Sequence, residues 1–259
     1  MRLTRCHLDL PLALGRLDLP EAQAHYLGRV LRLAPGDAVQ LFDGSGREYL
    51  GQIAEVGKKT LSVELTEELP GQPDSPLRIH LGQGLSRGER MDWAIQKATE
   101  LGVAEITPLV SERCEVRLKD ERADKRLQHW RQVAISACEQ CGRSTVPLIH
   151  PPQLLADWQA GLDADLKLVL HPVAEPLESH ARPTRLALLI GPEGGLSETE
   201  VTAARAAGFQ PARLGPRVLR TETAPVVALS VAQQLWGDFQ TPDLPPDRCP
   251  AAVRPFPHG

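Results

Sequence analysis

Hydrophobic periodicity changes at Pro70-Gly71-Gln72-Pro73-Asp74-Ser75-Pro76. Before this stretch, Gln52-Ile53-Ala54-Glu55-Val56 and Leu61-Ser62-Val63-Glu64-Leu65 alternate at period two, with Gly57-Lys58-Lys59 between them. Val39-Gln40-Leu41-Phe42 and Glu48-Tyr49-Leu50 flank the turn cluster Asp43-Gly44-Ser45-Gly46, the signature of a hairpin. A short helix is expected near 21–31. Residues 1–69 therefore read as a small β-rich barrel, and 70–76 as a linker.

Beyond the linker, strand and helix patterns alternate, which favours a parallel α/β sheet covered on both faces. Strands are expected at 77–81, 106–110, 166–170, 185–190 and 212–214. Helices are expected after Ser86-x-x-Glu89, over 124–138, after Ser197-x-x-Glu200 and over 224–239. The two Ser-x-x-Glu spacings predict capping boxes. This second domain spans 77–240. Residues 241–259 hold six prolines and little apolar mass, and read as a disordered tail.

Composition narrows the class. The chain has 259 residues, 42% hydrophobic and 24% charged, as an ordinary globular protein does. No apolar run approaches the about 18 residues of a membrane span, and no charged-then-apolar leader opens the chain. The five cysteines (Cys6, Cys114, Cys138, Cys141, Cys249) are odd in number and irregularly spaced, which predicts reduced thiols and a cytoplasmic protein. Cys138-Glu139-Gln140-Cys141 lacks a second C-x-x-C or a spaced His pair, so no metal is expected there.

Net charge is −4, which argues against a polyanionic partner until its distribution is considered. Residues 1–75 and 147–259 are each net −3, whereas 76–146 is net +2. The basic groups are 23 Arg and only 6 Lys, and arginine's planar fork suits phosphate and carboxylate.

Three glycine-bearing junctions follow strand ends. Gly82-Gln83-Gly84-Leu85-Ser86-Arg87-Gly88 misses the dinucleotide spacing, because Arg87 stands where the third glycine should be. It reads as a structural turn. Gly191-Pro192-Glu193-Gly194-Gly195-Leu196-Ser197 exposes backbone between a buried strand and a helix start, a place suited to a ligand. Leu214-Gly215-Pro216-Arg217-Val218-Leu219-Arg220-Thr221-Glu222-Thr223-Ala224 repeats the Gly-Pro punctuation and concentrates charge. Thr221 or Thr223 is expected to cap the next helix. From the residues alone, two classes stay open: an enzyme using a nucleotide-like cofactor at these strand ends, and a non-catalytic RNA-binding or ribosome-assembly protein.

The second and third junctions, with Gly88-Glu89-Arg90-Met91-Asp92, Gln96-Lys97-Ala98-Thr99-Glu100-Leu101-Gly102-Val103 and Glu139-Gln140-Cys141-Gly142-Arg143-Ser144, closely resemble the SPOUT methyltransferases. The likeness is greatest to the RsmE-type enzymes, which methylate N3 of a uridine in bacterial small-subunit ribosomal RNA. It covers residues 1 to about 239. The resemblance implies a PUA-like β-barrel followed by an α/β SPOUT domain with a C-terminal trefoil knot, a rare exception to ordinary chain topology. It implies S-adenosylmethionine as methyl donor, a homodimer, ribosomal RNA of the small subunit as partner, and no metal or membrane.

On that footing, donor contacts are expected from Leu170, His171, Ile190, Gly191, Glu193, Gly194, Leu214, Gly215, Val218, Leu219 and Thr223. His171 equally suits a core position. Arg220, then Arg143, would stabilise a uracil anion, and Glu222 would either accept its proton or pair with an arginine. Phosphate contacts are expected from Arg2, Arg5, Arg87, Arg90, Arg113 and Arg117.

Overall fold

The structure is a computed structural model that describes residues 3–115 and 120–240. Arg2, Arg117 and the tail expected at 241–259 lie outside the described residues. The chain divides into two compact units. Among the described residues, the first comprises those up to Pro73 together with Cys138–Thr145, and the second comprises Asp74–Ala137 and residues 146–240.

The first unit is built on strands β1 (Thr4–His7), β2 (Gly15–Asp18), β3 (Ala38–Phe42), β4 (Arg47–Val56) and β5 (Leu61–Pro70). Their order is β1-β3-β4-β5-β2, parallel between β1 and β3 and antiparallel elsewhere. The expected hairpin joins β3 to β4. Period-two alternation places Val39, Leu41, Ile53, Leu61, Val63 and Leu65 in one core with Cys6, Leu8 and Leu27. The helix expected at 21–31 is α1 (Glu21–His25) running into a wider π-type turn, Tyr26–Val30.

The second unit contains β6 (Arg78–Gly84), α2 (Glu89–Glu100), β7 (Glu105–Val110), α3 (Asp120–Cys141), β8 (Leu148–Ile149), β9 (Gln153–Leu154) and α4 (Leu155–Ala160). It continues with β10 (Leu166–Pro176), β11 (Arg185–Ile190), α5 (Glu198–Ala206), β12 (Gln210–Arg213) and α6 (Thr223–Trp236). The sheet is parallel, in the order β12-β10-β11-β6-β7-β8, with β9 also on β7. Side-chain parity divides its two faces. Leu186, Leu188 and Ile190 of β11 join a core that includes residues of α2, α3 and α6, while Ala187 and Leu189 join a second core with α4 and α5 residues. Burial on both faces is why β11 reads as an unbroken apolar run.

Three local expectations need correction. Residues 138–145, read as part of the second domain, group with the first unit. The buried Glu48 carboxylate accepts from Ser144 Oγ at 2.5 Å, Arg5 donates to the Arg143 carbonyl at 3.0 Å, and the His7 amide donates to Glu139 at 3.0 Å. Ser86 does not cap α2. Gly88, at φ 55°, is the residue before the helix, and the Ser86 hydroxyl donates to the Gly84 carbonyl at 3.3 Å instead. Neither Thr221 nor Thr223 caps α6, whose flanking residue is Glu222 with no side-chain cap bond. The capping box of Ser197 and Glu200 on α5 does form.

Candidate functional site

A cavity of about 580 Å³ opens at the ends of β11 and β12, against the middle of β10. Loops at the finishing ends of parallel strands are where such sheets bind ligands. Leu170 and His171 of β10, Ile190 of β11, and the loops 191–196 and 214–222 form its walls. Its apolar side is made by Leu170, Ile190, Leu196, Leu214 and Leu219, while glycines at 191, 195 and 215 leave backbone open to a ligand.

The first junction has a packing role that the failed dinucleotide motif concealed. A Cβ on Gly84 would overlap the backbone nitrogen of Pro192. Only a residue without a side chain lets the 191–197 loop lie directly against the end of β6.

That loop is also tied at Glu193. Its carboxylate accepts from Arg90 Nη1 at 3.1 Å and from the Arg87 amide at 3.3 Å. Burial by itself would raise the Glu193 carboxyl. The amides of Glu193 and Arg87, with the Arg90 guanidinium, outweigh it and hold the group below its ordinary value. Arg90 Nε lies 4.0 Å from Glu222 Oε1 on the other loop. The arginine partner of Glu222 is therefore Arg90, whereas Arg220 lines the cavity and forms no ion pair among the described residues.

Most expected donor contacts come together here. Leu170, His171, Ile190, Gly191, Glu193, Leu214, Gly215, Val218 and Leu219 line the cavity, as do Arg220 and Glu222. Gly194 and Thr223 are not among the lining residues. Gly194 offers its carbonyl to Arg113 Nη1 at 3.2 Å, and the Thr223 amide bonds the Arg220 carbonyl at 2.9 Å. Arg143 is placed in the first unit and is not among the lining residues.

Of the expected phosphate contacts, Arg87 pairs with Glu115 at 3.0 Å while remaining exposed. Arg5 does not fit that role. Its side chain is 13% exposed, bonds Glu48 at 2.5 Å and lies over the Phe42 ring, so its charge is already spent inside the first unit.

Lining residues that the sequence reading missed are Pro192, Gly195, Leu196, Glu198, Val201, Ala212, Arg213, Arg217, Thr221 and Ala224, together with Arg90 as a cavity residue. Thr221 has a long-range role. Its hydroxyl donates to the Gly191 carbonyl at 2.8 Å and accepts from Gln83 Nε2 at 3.0 Å. The sequence signal for Gln83 is weak: β6 also carries Arg78 and His80, and the pairing of Gln83 with Ile190 is visible only in the sheet register.

Among the described residues, His80, Glu105 and His150 offer ligand atoms within 4.8 Å of one another. These donors are already engaged. His150 Nε2 bonds Glu105 at 2.9 Å, Arg78 donates to the same carboxylate at 3.3 Å, and Trp158 Nε1 donates to His80 Nε2 at 3.1 Å. The Trp158 bond puts the proton of neutral His80 on Nδ1, so the three residues form a hydrogen-bonded cluster with Trp158 and Arg78.

Comparison with known proteins places this geometry. Residues 73–233 match the model of an RNA methyltransferase domain, and 19–66 match that of an RNA methyltransferase PUA domain. Ribosomal RNA small subunit methyltransferase E of Buchnera aphidicola (from Schizaphis graminum) is 35% identical over 243 residues, 92% of this chain and 98% of that protein. The Bacillus subtilis protein of the same name is 32% identical over 80% of this chain and 86% of its own length. A Legionella pneumophila protein solved with S-adenosylmethionine superposes with a TM-score of 0.89 at 41% identity, covering 92% of this chain and all of that one. The Neisseria gonorrhoeae ribosomal RNA small subunit methyltransferase E, also bound to S-adenosylmethionine, gives 0.86 at 40% identity, covering 92% and 99%. A chain matched by this domain model over most of its length, with a PUA domain ahead of it, belongs to the RNA methyltransferase family.

Proposed function

We propose that this protein transfers a methyl group from S-adenosylmethionine to N3 of a uridine in small-subunit ribosomal RNA. The observation that carries the reading is the cavity at the strand ends, where Arg220, which has no ion pair among the described residues, lines the same space as two glycine-bearing loops. The residues present suit the donor. Apolar walls and open backbone fit an adenosine, and the cavity is of the size that holds a cofactor. Bound there, S-adenosylmethionine supplies an electrophilic methyl carbon on a sulfonium.

The donor contacts in this reading are Leu170, His171, Ile190, Gly191, Glu193, Leu214, Gly215, Val218 and Leu219. Gly194 and Thr223 support the loops from outside. Uracil N3 carries a proton and is a poor nucleophile until it is lost. In this reading Glu222, with Arg90 beside it, accepts that proton, and Arg220 stabilises the resulting charge on the carbonyl oxygens. Arg143 is set aside for this role, because it does not line the cavity. Arg87, Arg90 and Arg113 stand beside the loops at its mouth and are the phosphate contacts that remain.

The homodimer belongs to the same proposal. Val218 lines the cavity yet is 85% exposed, an apolar residue that a second copy would cover. The knot does too. The hydrogen bond from Thr221 to the Gly191 carbonyl, which joins the segment after β12 to the loop after β11, supports that reading. A cytoplasmic location follows from a ribosomal substrate, and no helix among the described residues is long and apolar enough to cross a membrane.

Arg220→Ala tests the division of labour. Affinity for S-adenosylmethionine, measured by calorimetry, is expected to stay within about threefold, while turnover on small-subunit RNA falls by about 100-fold or more. Equal loss of both would overturn the role given to Arg220.

A further inference from the structure

The two loops of the cavity leave different strands, β11 and β12. Between them lies a short chain of buried hydrogen bonds. Gln83, 1% exposed on β6, donates from Nε2 to Thr221 Oγ1 at 3.0 Å and to the Gly84 carbonyl at 3.3 Å. Thr221, 7% exposed, donates in turn to the Gly191 carbonyl at 2.8 Å. The hydroxyl therefore has one direction open to it: it accepts from the amide and gives to the carbonyl.

Gln83 holds this position at a cost. Its Oε1 is buried and has no partner among the described residues. Leaving such an acceptor unsatisfied is unfavourable, and an apolar side chain of the same length would avoid it. Such a group calls for an explanation, and its position between the two loops of the cavity supplies one. Gln83 itself is not among the residues lining the cavity, so its influence on a ligand there must pass through Thr221.

We propose that Gln83 and Thr221 are positioning residues of the transfer reaction, a buried relay that fixes the Gly191 loop to the 214–222 loop and so sets the donor pocket before any ligand arrives. The proposal rests on the reading of this cavity as the S-adenosylmethionine site. Preorganisation of this kind shows in binding more than in folding, because the ordering of the loops is otherwise charged to the ligand.

The test uses the full-length protein and four variants. Thr221→Val removes the hydroxyl at nearly constant shape, and Thr221→Ser restores it. Gln83→Met removes the amide from a residue that does not line the cavity, and Gln83→Glu replaces its donor with an acceptor. For each, thermal midpoint, Kd for S-adenosylmethionine by calorimetry, and KM and kcat for methylation are measured. Thr221→Val, Gln83→Met and Gln83→Glu are expected to raise Kd and KM for S-adenosylmethionine by about tenfold, with kcat changed less. Thr221→Ser is expected to bind as the parent does. Gln83→Met is expected to melt no lower than the parent while binding the donor more weakly, a pairing that a merely structural role does not produce. The proposal is overturned if Gln83→Met binds the donor with parental affinity, or if weaker binding in every variant only tracks a lower thermal midpoint. If the parent protein itself shows no binding of S-adenosylmethionine, it is the reading of the cavity that fails, and the variants are not needed to see it.

Discussion

Glu48 is 8% exposed, and its two oxygens receive Arg5, Ser144 and Gln40. Arg5 is nearly as deeply placed, with Glu48 as its one carboxylate partner among the described residues and the Arg143 carbonyl as its other acceptor. Breaking a buried pair from one side leaves the other charge uncompensated, which costs about 3–5 kcal/mol. Glu48→Gln is accordingly expected to destabilise the first unit by that order, read as a lower urea midpoint, and the Arg143–Thr145 segment to lose protection from amide exchange. Parental stability would show that the pair contributes nothing net. The same residues mark how far the sequence can be read at this scale. Ser197 and Glu200 were legible as a cap because their partners lie three residues away. Thr221 and Ser86 were misread as caps because their hydroxyls take other partners, across the fold for Thr221. Arg5 looked like a surface cation for the same reason: nothing local announces that residue 48 lies beneath it.

The elements of the second unit were legible where periodicity carries the signal. Arg185–Ile190 lies where expected, because a strand buried on both faces is a continuous apolar run. Strand β10 was expected to stop at 170 but extends to Pro176, through a register shift against β12 that hydrophobic pattern does not encode. The helix expected at 124–138 runs Asp120–Cys141, and its last turn belongs with the first unit. The His80–Glu105–His150 network joins β6, β7 and the residue after β8, a juxtaposition visible only once strand order is known. It predicts a pH response of the sheet. Burial, with a smaller contribution from His150, pushes His80 down from 6.5 to about 4, against the opposing pull of Glu105. For Glu105, burial acts upward, but the bonds from His150 and Arg78 with the two histidines' charge hold it below its ordinary value. A histidine with a depressed folded value is protonated more readily in the unfolded chain, so it favours folding fully only above about 6.5 and loses that contribution as pH falls toward 4. Depression of Glu105 acts in the same direction. The thermal midpoint is expected to fall between pH 6.5 and 4, and to fall less steeply in His80→Gln. An equal slope in both proteins would remove His80 from the account.

At the scale of the whole molecule, net charge was the least informative number. A total of −4 conceals a net +2 segment, 76–146, whose Arg87, Arg90 and Arg113 stand beside the cavity loops. The two-unit plan was visible as a change of period, whereas the return of 138–145 to the first unit was not, since it depends on partners such as Glu48, 96 residues from Ser144. The site was legible as two glycine-bearing loops, and its closure by Gln83, Thr221 and Arg90 was not, because those contacts join segments distant in sequence. The central claim is a methyl group placed on one base of one RNA. Mass mapping of ribosomal RNA from cells with and without this protein tests it most directly. The account predicts that small-subunit RNA from cells lacking it loses a single methyl group, located at N3 of a uridine, and that purified protein with S-adenosylmethionine restores it. Identical methylation of the two RNAs would contradict it.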